Sequence, residues 1–180
     1  PFEKMVTKHT HQTHCIVGAR AYDIHAEKRL PLALLINILG GPSANSRLNI
    51  LLREKNGLSY NIEANYTPYN DCGMVAIYFS TDHHNLDLCR ELIDKELREL
   101  RTTRLSSRRM ALTKRQFLAQ MAISMENNEG YMLGAGKSFL VHDEIDTLEE
   151  VYRKVSAVTA EQIMEVAEEI FSRTSTLIYQ

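Results

Sequence analysis

The 180 residues predict one α+β domain, 1-180, with an antiparallel sheet and helices packed on one face. Two observations carry this expectation. Between Leu58 and Ser80, two runs of period-two polarity flank the turn residues Pro68-Tyr69-Asn70-Asp71, the pattern of an antiparallel hairpin. From Leu88 onward the period lengthens to that of successive amphipathic helices, before a last apolar strand.

The elements follow in order. Residues 13–22, THCIVGARAY, are small, apolar and strand-like. Residues 27–39 crowd leucine and isoleucine at helical spacing. Gly40-Gly41-Pro42 ends that helix, because glycine accepts a left-handed cap and proline cannot continue the turn. Asn45 or Ser46 caps a second helix reaching about Lys55, closed by Asn56-Gly57. On the strand after it, alternation places Leu58, Tyr60, Ile62, Ala64 and Tyr66 on one face, and Ser59, Asn61, Glu63, Asn65 and Thr67 on the other. Residues 72–80 return as its partner. Leu88, Cys89, Leu92, Ile93, Leu97 and Leu100 mark the stripe of the next helix. Further helices are expected over 109–125, 131–141 and 160–171, with a short element after Asp146, and residues 175–179 close the chain as a strand.

Composition narrows the function classes. Apolar residues are 44%, charged residues 24% and the net charge is -2, so no charge excess invites nucleic acid or anionic lipid. No apolar run approaches the roughly 20 residues of a membrane span. Cys15, Cys72 and Cys89 are scattered and lack CxxC spacing; they read as core residues and favour a reducing, cytoplasmic compartment. The chain starts at Pro1 without a signal-peptide pattern, as an excised fragment or a processed chain would.

Metal and nucleophile motifs give little. His9, His11 and His14 form HxHxxH, but on a strand the first two share a face and the third opposes them. His83-His84 begin a helix, where adjacent side chains diverge, and His142-Asp143-Glu144 is neither HxxEH nor HExxH. No metal site of its own is therefore expected. GxSxG is absent, and residues 39–46, LGGPSANS, lack the GK[ST] ending of a phosphate loop. Arg98, Arg101, Arg104, Arg108, Arg109, Lys114 and Arg115 are interleaved with Glu96 and Glu99 without aromatics, so a solvated helical face is the expectation.

The informative block is residues 40–60, GGPSANSRLNILLREKNGLSY. A glycine turn, then Ser46-Arg47-Leu48, then Arg53-Glu54-Lys55-x-Gly57-Leu58-x-Tyr60 resembles the M16 (pitrilysin and mitochondrial processing peptidase-like) zinc metallopeptidases. Gln12-Thr13-His14 with its following strand, the hairpin to Ile77-Tyr78 and residues 112–126 extend the likeness over most of the chain. The resemblance implies an M16/LuxS-like lobe. Since HxxEH is missing, it implies the C-terminal-type inactive lobe of a larger protein, with zinc on the partner lobe and no cofactor in this chain. The implied partners are an HxxEH-containing M16 lobe, in the same polypeptide or a partner subunit, and a peptide or unfolded polypeptide substrate, with a homodimer allowed. The implied function is to enclose and position peptides for hydrolysis by that other lobe. The alternative is a non-catalytic M16-like scaffold or partner subunit.

Two residues carry over as catalytic and substrate-binding groups, Arg53 and Tyr60, by their seven-residue spacing. In peptide hydrolysis a phenol can donate to the developing oxyanion, and a guanidinium offers a planar fork for carbonyls or carboxylates. Alternation alone would instead make Tyr60 a core tyrosine, though its place near the strand's start can free the hydroxyl. Arg53 could equally be a plain surface arginine.

Overall fold

The computed structural model describes residues 1–180. A short strand that the sequence reading did not anticipate, β1 (Glu3–Val6), comes first, followed by β2 (Thr13–Ala21). Helix α1 (Arg29–Gly40) leads through a loop to a π-helical segment, Asn49–Lys55, where a helix was expected. The hairpin is β3 (Ser59–Pro68) and β4 (Gly73–Thr81). Then come α2 (Leu86–Thr102), α3 (Ser107–Met125), α4 (Asn128–His142), α5 (Leu148–Ala157), α6 (Ala160–Phe171) and β5 (Ser175–Tyr179).

The five strands form one sheet in the order β1-β5-β2-β4-β3. β2, β3, β4 and β5 pair antiparallel, and β1 adds in parallel to β5, which makes the sheet mixed. The parallel pair is joined at its ends by Thr176 N–H donating to the Phe2 carbonyl at 2.8 Å and Gln180 N–H donating to the Val6 carbonyl at 3.0 Å. The free edges are β1 and β3.

One sheet face is apolar because alternate residues of its strands are: Cys15, Val17 and Ala19 on β2, Val75, Ile77 and Phe79 on β4, and Ile178 on β5 are buried. Helices α1, α2 and α6 cover that face and close a core cluster of 27 residues. On α2 the buried stripe is Leu86, Cys89, Ile93, Leu97 and Leu100. Leu88, expected on it, is exposed, because it lies two residues past Leu86 and thus roughly opposite the stripe. Helix α3 packs on α1, and α4 and α5 pack on α3. Helix α4 buries no side chain.

Local signals explain the helix starts. Thr147 with Glu150, and Thr159 with Gln162, form reciprocal capping boxes at α5 and α6. Ser106 and Asn127 cap α3 and α4. The end of α1 lies directly on β3: a Cβ at Gly40 would stand 2.7 Å from both Cβ and N of Ala64. Only glycine permits that approach.

Candidate functional site

Arg53 sits on the π-helical segment, which is anchored by buried Leu52 and by buried Leu48 just before it. Half-buried Arg47, just before it, ties it to α2 through ion pairs with Glu96 and Glu99, the latter at 2.6 Å. Burial pushes the Glu96 carboxyl upward, and the Arg47 charge opposes that rise. Gly57, at φ 61°, then turns the chain into β3, with its N–H donating to the Arg53 carbonyl at 3.0 Å. The Arg53 guanidinium is exposed, with Nε 3.7 Å from Glu54, too far for a hydrogen bond. It lines a groove of about 470 Å³ together with Gly41, Ser43, Asn49, Asn61 and Glu63.

Tyr60 stands on a β-bulge. Ser59 pairs with Thr81 and Asn61 with Ser80, so Tyr60 has no partner on β4. The bulge is held from beneath. Ser59, buried, points inward with Oγ 2.7 Å from the Ser80 carbonyl oxygen, and Thr81 Oγ1 donates to the Leu58 carbonyl at 2.6 Å. Beyond the bulge Ile62, Ala64 and Tyr66 face the core as expected. Tyr60 does not: it is 78% exposed. Simple alternation failed there because the extra residue shifts the phase by one. Arg53 and Tyr60 thus flank the turn into β3. Arg53 and Asn61 line the groove, and Tyr60, the residue before Asn61, is not part of its wall.

The other candidates disperse. His9 and His11 are exposed, with His9 at φ 52°, while His14 stacks on Tyr78 and its Nδ1 lies 2.8 Å from the phenol oxygen. His83 bonds Thr13 and the Thr10 carbonyl. No three His, Cys, Asp or Glu side chains converge to hold a metal ion, so the residues of this chain do not fit zinc. Within residues 39–46, Ser46 N–H donates to the Ser43 carbonyl at 3.0 Å, and the Ala44 carbonyl accepts from Asn49 Nδ2 at 2.6 Å, which fixes the segment as a turn. Of the basic residues, Arg101 pairs with Glu168 and Arg104 with Glu161, so they sit on a charge-matched face. Cys15 and Cys89 are buried, and burial pushes the Cys15 thiol up to about 12. No helix is long and apolar enough to cross a membrane. One cluster escaped the sequence reading: Arg29 with His25 and His142 around the start of α1, where His142 lies more than 100 residues from the other two and no motif joins them.

The comparisons with known proteins agree with this architecture. The family described as the peptidase M16 inactive domain matches residues 2–117. YmxG of Bacillus subtilis, described as an uncharacterized zinc protease, is 30% identical over 170 residues, covering 94% of this chain and 41% of that protein. An uncharacterized zinc protease of Rickettsia felis is 27% identical over 171 residues, covering 95% of this chain and 41% of its own length. Among solved structures, a protease from Helicobacter pylori superposes with a TM-score of 0.87 at 16% identity, over 99% of this chain and 43% of that one. A peptidase M16 inactive domain from Pseudomonas fluorescens gives 0.84 at 20% identity, over 98% of this chain and 43% of that one. The chain therefore spans about two-fifths of the length of the curated relatives it matches. With a match over residues 2–117 and this fold, the chain belongs to the peptidase M16 family as its inactive domain.

Proposed function

We propose that this chain is the non-metal lobe of a zinc-dependent metalloendopeptidase, enclosing and positioning peptide substrate for hydrolysis at a zinc-bearing M16 lobe of the same polypeptide or of a partner subunit. The observation that carries the reading is the bulge at Tyr60, which holds a phenol out of the core one residue before Asn61, itself part of a groove lined by Arg53. In this role Tyr60 Oη donates a hydrogen bond to the oxyanion that forms on the scissile carbonyl, and Arg53 forks a carbonyl or carboxylate of the substrate. Both groups come from outside the metal lobe, so the complete site exists only when the lobes close, which restricts entry to short or unfolded chains. Of the two free sheet edges, β3 borders the Arg53 groove, and an extended peptide can add there as a further strand.

The test is Tyr60→Phe in the longer polypeptide. Loss of one oxyanion donor lowers kcat about 10²–10³-fold with KM little changed; an unchanged kcat overturns the role.

A second reading, a non-catalytic M16-like scaffold or partner subunit, is favoured by the apolar surface of α4. Leu140 is 85% exposed there, with Met132, Leu133 and Phe139 also exposed. A longer polypeptide that assembles with other chains and hydrolyses no peptide would support it.

A further inference from the structure

A large cavity lies at the opposite end of β3 from Tyr60, ~26 Å along the strand. It is an open crevice of about 790 Å³ where the start of α1, Tyr66 and Pro68 of β3, and helices α5 and α6 meet. Leu30, Pro31, Met121, Val151 and Val158 supply its apolar walls. A second crevice of about 650 Å³, beneath α4, shares Arg29, Met121, Asp146 and Val151 with it, so the two meet around Arg29.

The charges there are unequally matched. Asp146 is occupied by Lys154, whose Nζ lies 2.7 Å from both carboxylate oxygens. Arg29 is half-buried and forms no ion pair within 4.0 Å, although Glu27 lines the same crevice. It is also the first residue of α1, whose first turn holds no acidic side chain, so the positive helix end adds to its charge. That charge, after burial, helps hold the His142 imidazole below its ordinary value. A half-buried guanidinium without a counter-ion, over an apolar trough, matches a ligand that is apolar along its length and ends in a carboxylate.

We propose that this crevice binds the C-terminal carboxylate of a short apolar peptide, with Arg29 forking the carboxylate and the Leu30–Val158 trough taking the last side chains. A peptide fits better than a hydrocarbon chain because polar groups recur along the trough. His25 lies at one end, and Gln162, whose Oε1 caps Thr159 N–H, keeps its amide hydrogens for a ligand carbonyl. Hydrolysis of any peptide bond supplies such a terminus. The proposal stands on the crevice alone and does not require the Tyr60 role.

The experiment is fluorescence anisotropy of the chain with N-terminally labelled Gly-Gly-Leu-Val-Phe, as free acid and as C-terminal amide, with sodium dodecanoate as competitor. The acid is expected to bind saturably and the amide about tenfold more weakly, the loss of one charge-assisted interaction. Arg29→Gln should bind both forms alike, at the level of the amide. Val151→Asp, which sets a carboxylate in the trough, should weaken the acid more than the amide. No binding of the acid, equal binding of acid and amide, an undiminished preference in folded Arg29→Gln, or full displacement by dodecanoate at the peptide's own Kd would each overturn the proposal.

Discussion

Tyr60 and Ile62 lie two residues apart on β3 and face opposite sides of the sheet: Ile62 packs against the core, and Tyr60 is solvent-exposed. The bulge between Ser59 and Asn61 is the cause. A residue so exposed contributes little to folding. Tyr60→Phe should therefore leave the melting temperature of the chain unchanged, corresponding to within about 0.5 kcal/mol. Thermal unfolding followed by circular dichroism checks this, and a large drop would mean that the phenol is structural.

Ser59 carries the opposite expectation. Its buried hydroxyl lies 2.7 Å from the Ser80 carbonyl oxygen and 2.9 Å from that of Asn61, so Ser59→Ala removes the hydroxyl that bonds across the bulge. The expected loss is about 0.5–1.5 kcal/mol. If the bond also fixes the bulge, the same variant lowers kcat of the longer polypeptide although Tyr60 is intact. Denaturant unfolding paired with peptide turnover measures both.

Gly40→Ala should destabilise by about 1–3 kcal/mol, because the new methyl meets Ala64 at 2.7 Å and a packed helix-sheet contact cannot open freely. Adding Ala64→Gly should not restore stability, since the Ala64 backbone nitrogen is equally close. Rescue in the double variant would show that α1 can lift away from β3.

Acid should weaken the contacts of α6. Bonding to Arg101 holds the Glu168 carboxyl below the ordinary glutamate range, and bonding to Lys28 and then Tyr22 does the same for Glu169. A carboxylate with a depressed pKa in the folded state stabilises above its unfolded pKa, and that contribution is lost as pH falls through the folded value. Melting temperature should therefore decline below about pH 4.3. Glu168→Gln should decline less steeply between pH 5 and 3, and a parallel decline would remove the Arg101–Glu168 pair from the account.

Much of this architecture was determined by the chain itself. The helices start where Thr147 and Thr159 reach their own backbone three residues on, and the hairpin turns at 68–72, because these are contacts between near neighbours. The 40–60 block carried the family, and it placed Arg53 and Tyr60 at either end of the turn that Gly57 makes. Tertiary structure alone decided the rest. β1 becomes a strand only because β5 returns from the far end of the chain to pair with it. Tyr60 faces outward because Ser80 and Thr81, across the hairpin, seize Ser59 and Leu58 and shift the register by one. Arg29 meets His142 and Val151 only where α4 and α5 fold back over the start of α1. Each of these depends on hydrogen bonds or packing between residues distant in sequence, and local periodicity has no means of recording them.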